Sequence, residues 1–180
     1  MLDEQKITFI TCVNNEEIYA ECCHYLERLY VPEGCHTDVV SIREAPSMTA
    51  GYNAAMKSSD ARYKVYLHQD VRIKNRNFIT DLLAVFARDE KIGMVGMVGT
   101  RNPWLNADCL MRWDTGKTVD NSNIYSYDLP GREEGFMGVL AVDGHLLATQ
   151  YDLLWREDLF DGWHFYDLSQ CMEFRGGGIR

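Results

Sequence analysis

Positive charge is scarce in this sequence. Eighteen lysines and arginines stand against 27 aspartates and glutamates, for a formal net charge of −9, and no basic cluster stands out. That balance argues against a nucleic-acid binder held by phosphate contacts. An acidic chain that takes an anionic ligand needs a local correction, from a metal ion or from helix N-termini. Glycine-rich phosphate loops are lacking too: no GxGxxG follows the first predicted strand, and no GxxxxGK[ST] occurs anywhere. The run "GMVGMVG" is itself a predicted strand. These absences argue against a dinucleotide dehydrogenase or a P-loop kinase. No apolar run approaches the length of a membrane span. The start, "MLDEQKITFITCV", has neither the basic region nor the small-residue cleavage site of a signal peptide. The six cysteines (Cys12, Cys22, Cys23, Cys35, Cys109 and Cys171) form no CxxC pair and show no zinc spacing. Cys12 and Cys22 sit among apolar residues, where cysteine behaves as a small hydrophobe. A reduced, cytoplasmic chain is expected.

What is present reads as one domain. At 180 residues, 46% hydrophobic and 25% charged, the chain is long enough for one sizeable core and ordinary in composition. "KITFITCV" (Lys6 to Val13) is rich in β-branched and aromatic residues and reads as a strand. Asn14, with Glu17 following, resembles a capping box. Ile18, Cys22, Tyr25, Leu26 and Leu29 then recur at helical spacing until "VPEG" stops the helix. A second strand is predicted at "TDVVSI". Ser47 then caps a helix through "TAGYNAAMKSS", whose Ala50, Gly51, Ala54 and Ala55 permit close approach to a sheet. "YKVYLH" reads as a third strand and "NRNFITDLLAVFARDE" as an amphipathic helix, with Phe78, Leu82, Leu83 and Phe86 inward. "IGMVGMVG" reads as a fourth strand. The alternation predicts a parallel sheet with right-handed crossovers, a Rossmann-type half over residues 1–99. Residues 100–135 (with Trp104, Arg101, Arg112, Trp113 and Pro130-Gly131) show little periodicity and read as a long loop. "GVLAVDGHLLATQ" reads as strand, with a hairpin turn at Asp143-Gly144. A last helix is expected to start near His164.

Ligands of an open parallel sheet bind beyond the carboxyl ends of its strands. Thr11 to Glu16, Arg43 to Ser47, His68 to Val71 and the loop after Gly99 should meet there. "RYKVYLHQDVRI" therefore delivers Asp70 to the crevice. If buried, that aspartate needs a cation, a hydrogen-bond network or water. At such an edge a carboxylate can coordinate a divalent cation through oxygen. The bland alternative, that Asp70 caps a turn, stands at roughly even odds. For His68 a packed, hydrogen-bonded role outweighs a ligand role by about two to one.

These segments, in this order, resemble the family 2 glycosyltransferases of the nucleotide-diphospho-sugar transferase superfamily. "FITCVNNEE" is similar to the family's opening strand, and "SMTAGYNAAMKSSDARYKVYLHQDV" to the block that ends in its Asp-x-Asp motif. "VDGHLLATQYDLLWREDLFDGWHFYDLSQCMEF" resembles its acceptor-side block, and "FDGWHFYD" is close to a version found in a bacterial branch. The resemblance implies an α/β, Rossmann-like GT-A fold. Its mostly parallel central sheet would be flanked by helices, with a nucleotide-binding half over 1–99 and a smaller, mixed acceptor-side half over 100–180. It implies transfer of a sugar from a nucleotide-diphosphate donor to a carbohydrate or other hydroxyl acceptor, inverting and assisted by Mn2+ or Mg2+. Oligomerisation stays open.

Residue by residue, the resemblance makes Asp70 the last aspartate of Asp-x-Asp, a metal ligand at the donor diphosphate. It puts His68 in place of the first aspartate, near the ribose or the metal. Thr11, Asn15 and Glu44 fall where relatives hold the base and ribose. Asp167 matches the acceptor-side acid and would be the base that deprotonates the acceptor hydroxyl. His164 would join the metal or a phosphate. Trp163, Phe165 and Tyr166 suit stacking on a sugar, although a core role outweighs it by about two to one. Relatives usually continue beyond "FRGGGIR", so a truncated or altered end is expected there. That end and His68 also leave open a nucleotide-binding module without turnover. A nucleotidyltransferase would carry a glycine-rich, basic loop where this chain has the acidic "NNEEIY".

Overall fold

The computed structural model of the chain describes residues 1–101, 113–120, 123–127 and 135–179. Its elements run β1 (Asp3–Val13), α1 (Glu16–Leu26), β2 (His36–Arg43), α2 (Met48–Ser58), β3 (Ala61–Leu67), α3 (Phe78–Phe86) and β4 (Met94–Gly96). They continue as β5 (Val98–Thr100), β6 (Thr115–Asp120), β7 (Asn123–Tyr127), β8 (Ala141–Val142), β9 (Leu146–Thr149) and α4 (Tyr166–Gly176). One sheet has the order β2-β1-β3-β9-β4 and a second the order β7-β6-β5-β8. The expected α/β architecture is there, as three layers with helices on both faces of the larger sheet.

The strand pattern shows why. Residues Ile7 through Thr11 are all buried, as they must be when both faces of a sheet are covered. Alternate residues then choose the face. Ile7, Phe9, Val65 and Leu67 meet Tyr19, Cys22 and Leu26 of α1 and Phe78, Ile79, Leu82 and Phe86 of α3. Ile10, Tyr66 and Leu147 meet Met48, Tyr52 and Ala55 of α2 and Tyr166 and Cys171 of α4. β1 pairs in parallel with β2 and β3, with Phe9 opposite Val39 and Val65.

The fourth strand departs from expectation. "IGMVGMVG" is not one strand beside β3 but two short ones, β4 and β5, in different sheets. β9 lies between β3 and β4, antiparallel to both. Its four residues are all buried, so it fits a position covered on both faces. β4 still runs in the direction of β1–β3, and the sheet is mostly parallel. Nor is "DG" a hairpin turn, because β8 and β9 belong to different sheets: β8 pairs with β5, and β9 with β4. Gly99 faces Val142. Three residues back from Gly99 and three on from Val142 would set Gly96 opposite His145, yet Gly96 faces Leu147. Two extra residues are thus looped out at 143–145, a bulge that re-aims its side chains.

Smaller corrections have local causes. The N-cap of α1 is Asn15 rather than Asn14, its Oδ1 accepting from the amides of Glu17 and Ile18, each at 3.1 Å. The Asn14 side-chain oxygen is taken by Gln69. Cys22, Leu26 and Leu29 are buried as expected, but Tyr19 rather than Ile18 begins the inward face. α4 begins at Tyr166, two residues after His164 and so close to its expected start. Within residues 100–135, β6 and β7 form an antiparallel pair where a loop was expected. Trp104, Arg112, Pro130 and Gly131 lie outside the described residues. Among the described residues, no helix is long and apolar enough to cross a membrane.

Other expectations hold. Ser47 caps α2, its Oγ accepting from Ala50 N at 3.1 Å. Gly51 sits where a Cβ would come within 2.5 Å of Cys12 Sγ, so the close approach of α2 to β1 needs glycine there, whereas Ala54 is exposed. Two buried polar residues fasten the segment after β9. Lys64, fully buried, reaches Asp152 at 2.8 Å and the Ala61 carbonyl at 2.7 Å. Asn53 donates to Trp155 O and accepts from Trp155 N, both at 2.9 Å. Asn53→Ala leaves both Trp155 groups buried and unpaired. At about 1–3 kcal/mol for each unsatisfied group, urea unfolding should show a loss of about 2–5 kcal/mol, and a loss below about 1 kcal/mol would contradict the clamp.

Candidate functional site

The carboxyl ends of β1, β2 and β3 form one rim. Gln69, between β3 and Asp70, ties it together. Its Oε1 accepts from the amides of Asn14 (3.0 Å) and Asn15 (2.9 Å), and its Nε2 donates to Asn14 Oδ1 at 2.5 Å. The loop after β1 is therefore fixed to the turn after β3. Between β1 and β2 lies a cavity of about 80 Å³ lined by Cys12, Val13, Asn14, Ile42, Glu44, Ala45 and Trp163. Trp163 is brought there by two bonds to the start of α2: Met48 N donates to Gly162 O at 3.1 Å, and Thr49 Oγ1 to Phe160 O at 2.6 Å. Glu44 (φ 57°) and Phe165 (φ 63°) are the only non-glycine residues among those described with left-handed backbone. Glu44 lines the cavity, whereas Phe165 lines a separate groove along α4 with Phe160, Leu168 and Met172; such conformations cost about 1–3 kcal/mol each and cluster at functional sites.

Of the predicted donor residues Thr11, Asn15, Glu44 and His68, only Glu44 is in the lining of this cavity. Glu44 lines it and is exposed. Asn15 is exposed, with its side-chain oxygen committed to the helix cap. Thr11 is fully buried in β1, and its Oγ1 has no hydrogen-bond partner among the described residues. Arg43 pairs with Glu16 through two bonds, 2.6 and 3.0 Å, at the outer edge.

Asp70 differs from expectation in one respect. It is exposed, so no burial penalty arises, and water meets the need for a partner. The turn that holds it is closed by Val71 N donating to His68 O at 3.2 Å. Among the described residues its carboxylate takes no hydrogen bond or ion pair. Those residues also hold no group of three or more His, Cys, Asp or Glu side chains able to bind a metal ion. A free, hydrated carboxylate fits Mg2+ or Mn2+ in the mode that uses one or two carboxylates plus phosphate oxygens and waters. His164 is exposed in the segment before α4, and no contact among the described residues joins it to Asp70.

The bulge at 143–145 is where the other half of the site converges. His68 N donates to His145 O at 3.0 Å, and His68 Nε2 lies 2.5 Å from the Tyr166 hydroxyl. Asp167, in the first turn of α4, accepts from Gly144 N at 2.9 Å and from Leu168 N at 2.8 Å. Burial pushes the Asp167 carboxyl above the ordinary value, against the opposing pull of those two amides, and Asp143 nearby adds to the rise. His145 Nδ1 donates to Asp143 Oδ1 at 2.7 Å, which fixes the proton on Nδ1. Burial alone would raise Asp143, but the bonds from the His145 ring and amide outweigh it and hold that carboxyl low. Burial lowers His68, opposed by Asp70 and Asp143.

Of the aromatics before α4, Tyr166 is core at 4% exposure, whereas Trp163 (46%) and Phe165 (55%) are not. Sequence reasoning missed Gln69, Asp143 and His145. Gln69 carried a signal in standing between a histidine and an aspartate at a strand end. "DGH" carried a false one, since the dipeptide suits a turn whatever the strands beside it do.

A mostly parallel α/β/α sandwich of this strand order is the GT-A fold. Solved structures agree on the fold. A mannosyltransferase from Pyrobaculum calidifontis, in complex with GDP-Man and Mn2+, matches with a TM-score of 0.59 and 14% identity. The match covers 99% of this chain and 54% of that one, so the chain spans about half the length of that protein. No curated protein matches. The profile of the glycosyltransferase-like family matches residues 8–180, and the chain belongs to that family.

Two outcomes follow. Gly144 has no room for a side chain, because a Cβ there would collide with the Tyr166 ring and hydroxyl. Gly144→Ala should lower unfolding stability by about 1–3 kcal/mol, the range for overpacking a filled site, and unchanged stability would contradict the packing. Asp167 gives a pH signature. Between the ordinary aspartate value of 3.8 and its raised value in the fold, the folded chain keeps a proton that the unfolded chain has lost. The contribution of this group is present below that window and lost as pH rises through it. Urea unfolding should therefore show the stability of the parent chain relative to Asp167→Asn declining with rising pH there, and a constant difference would contradict the raised value.

Proposed function

We propose that the chain binds a nucleotide-diphosphate sugar across the ends of β1, β2 and β3 and transfers the sugar, with inversion, to a hydroxyl acceptor beside α4. The observation that carries this reading is the convergence on the 143–145 bulge of the strand end that bears Asp70 and the helix start that bears Asp167.

The cavity between β1 and β2 takes the base and ribose, with Glu44 and the Asn15 amide nitrogen as polar contacts and Trp163 as an exposed ring wall. Thr11 lies beneath. The diphosphate extends toward Asp70, which would hold Mn2+ or Mg2+; His164, from its exposed position before α4, is the second candidate toward the metal or a phosphate. When bound, such a cation neutralises the diphosphate and stabilises the charge that grows on it as it leaves. The acidic surroundings make that correction necessary.

Asp167 supplies the acceptor side. A sugar hydroxyl is a poor nucleophile, and a carboxylate within hydrogen-bond reach activates it by taking its proton. Each Asp167 oxygen accepts one amide bond and keeps a second lone-pair direction. Its raised proton affinity makes it a better base than an exposed aspartate. The acceptor oxygen bonds to the anomeric carbon as the bond from that carbon to the donor phosphate breaks, and the proton ends on Asp167. The same acid also satisfies two helix-start amides, so its structural and chemical roles coexist.

Calorimetry with UDP, GDP and dTDP, each with and without Mn2+, tests the donor site. At least one should bind, more tightly with Mn2+ and with the Mn2+ enhancement lost in Asp70→Ala. No binding by any of them would overturn the proposal. Donor hydrolysis should fall by about 10²-fold or more in Asp167→Asn, as expected when a positioned base is removed. Binding without turnover, unaffected by that substitution, would identify a binding module instead.

A further inference from the structure

His68 stands where the family resemblance leads one to expect an acid. Its surroundings show a different use for the position. Its Nε2 is engaged by the Tyr166 hydroxyl at 2.5 Å, and its amide by the His145 carbonyl. Tyr166 is held in turn. Its ring fills the space that a Cβ on Gly144 would need, and it packs at 5.8 Å from Tyr52 (80° between planes) and 6.0 Å from Trp155. In so filled a setting the Tyr166 ring cannot turn without vacating packed volume, and its hydroxyl stays on His68. Which of the two groups donates in that bond is set by the histidine tautomer.

The chain positions give that bond its meaning. Asp70 lies two residues after His68, and Asp167 directly follows Tyr166. The contact therefore bridges the strand end that carries one proposed site acid and the helix start that carries the other. We propose that His68 is a positioning residue: through Tyr166 it fixes the placement of Asp70 relative to Asp167, and it holds neither nucleotide nor metal. This rests on the roles given to the two acids under Proposed function. It also explains the replacement of an acid by histidine. A carboxylate at 68 would face the phenol beside Asp143 and Asp167, adding a third negative charge to a partly buried cluster, whereas a neutral imidazole bonds the phenol without that cost.

The test uses Tyr166→Phe, His68→Ala, His68→Gln and the Tyr166→Phe/His68→Ala pair. GDP and UDP binding with Mn2+ is measured by calorimetry, and hydrolysis of GDP-mannose and UDP-glucose by steady-state kinetics. Tyr166→Phe keeps the ring packing and loses only the hydroxyl. Misplacement by about 1 Å can cost about 10²-fold, so kcat should drop by about 10–10²-fold in Tyr166→Phe and in His68→Ala. Residues that act through one contact lose little more when both are changed, and the pair should match the singles. His68→Gln, which can still bond the phenol, should recover part of the rate. Nucleotide–Mn2+ affinity should stay within about twofold throughout, because only positioning has been disturbed. Loss of about tenfold or more of that affinity in His68→Ala but not in Tyr166→Phe would make His68 a ligand and overturn the proposal.

If the parent chain neither binds nor hydrolyses these donors, the functional reading fails on its own. Amide hydrogen exchange then judges the strut. Faster exchange at Gly144 and His145 in both single variants, and no faster in the pair, supports it. Exchange unchanged from the parent chain overturns it.

Discussion

A buried carboxylate holds the site together. Asp167 sits at 8% exposure at the start of a helix, where desolvation disfavours its charge and the helix dipole favours it. What makes the position tenable is a pair of backbone amides, one from the next residue of α4 and one from Gly144. The second comes from another part of the fold and is available only because the strand pairing loops out two residues at 143–145. The chain thus turns a break in strand register into a fixed joint between sheet and helix.

Several contacts depend on that joint. With Gly144 placed, the Tyr166 ring can lie against it, and the Tyr166 hydroxyl meets His68. With His145 placed, its carbonyl takes the His68 amide, and its ring is oriented by Asp143. On the far side of the rim Gln69 fixes the loop after β1 to the same turn. Asp70 is the exception, since its carboxylate projects into water with its backbone held on either side. One exposed carboxylate on a held backbone suits the mode in which a hydrated divalent cation is bound by one or two carboxylates plus phosphate oxygens.

Much of the fold was legible because its signals are local. The run from Ile7 to Val13 alternates between two covered faces, and α1, α2 and α3 carry helical periodicity with recognisable starts. Ser47 was read as a cap from residue type and position alone. What stayed hidden depends on pairing across long separations. Nothing in "LLAT" reveals that it lies antiparallel between β3 and β4, since a run buried on both faces looks the same in either direction. "DG" suits a tight turn and also suits the bulge that the chain builds. The site was legible in outline, because connectivity alone sends His68 and Asp70 to the sheet edge. A packed, hydrogen-bonded His68 was the favoured reading, but its partner, Tyr166, lies 98 residues away and could not be named from local signals, while Asp70 stays exposed.

The chain shares its fold with a mannosyltransferase of about twice its length, solved with GDP-Man and Mn2+, and belongs to the glycosyltransferase-like family. Whether its own rim takes such a ligand is decided by seeing one there. A crystal structure of the chain grown with Mn2+ and a nucleoside diphosphate is the most direct measurement. It should show the diphosphate and the ion beside Asp70, with the base in the cavity between β1 and β2 against Trp163. A nucleotide bound elsewhere, with Asp70 contacting only solvent, would contradict the account.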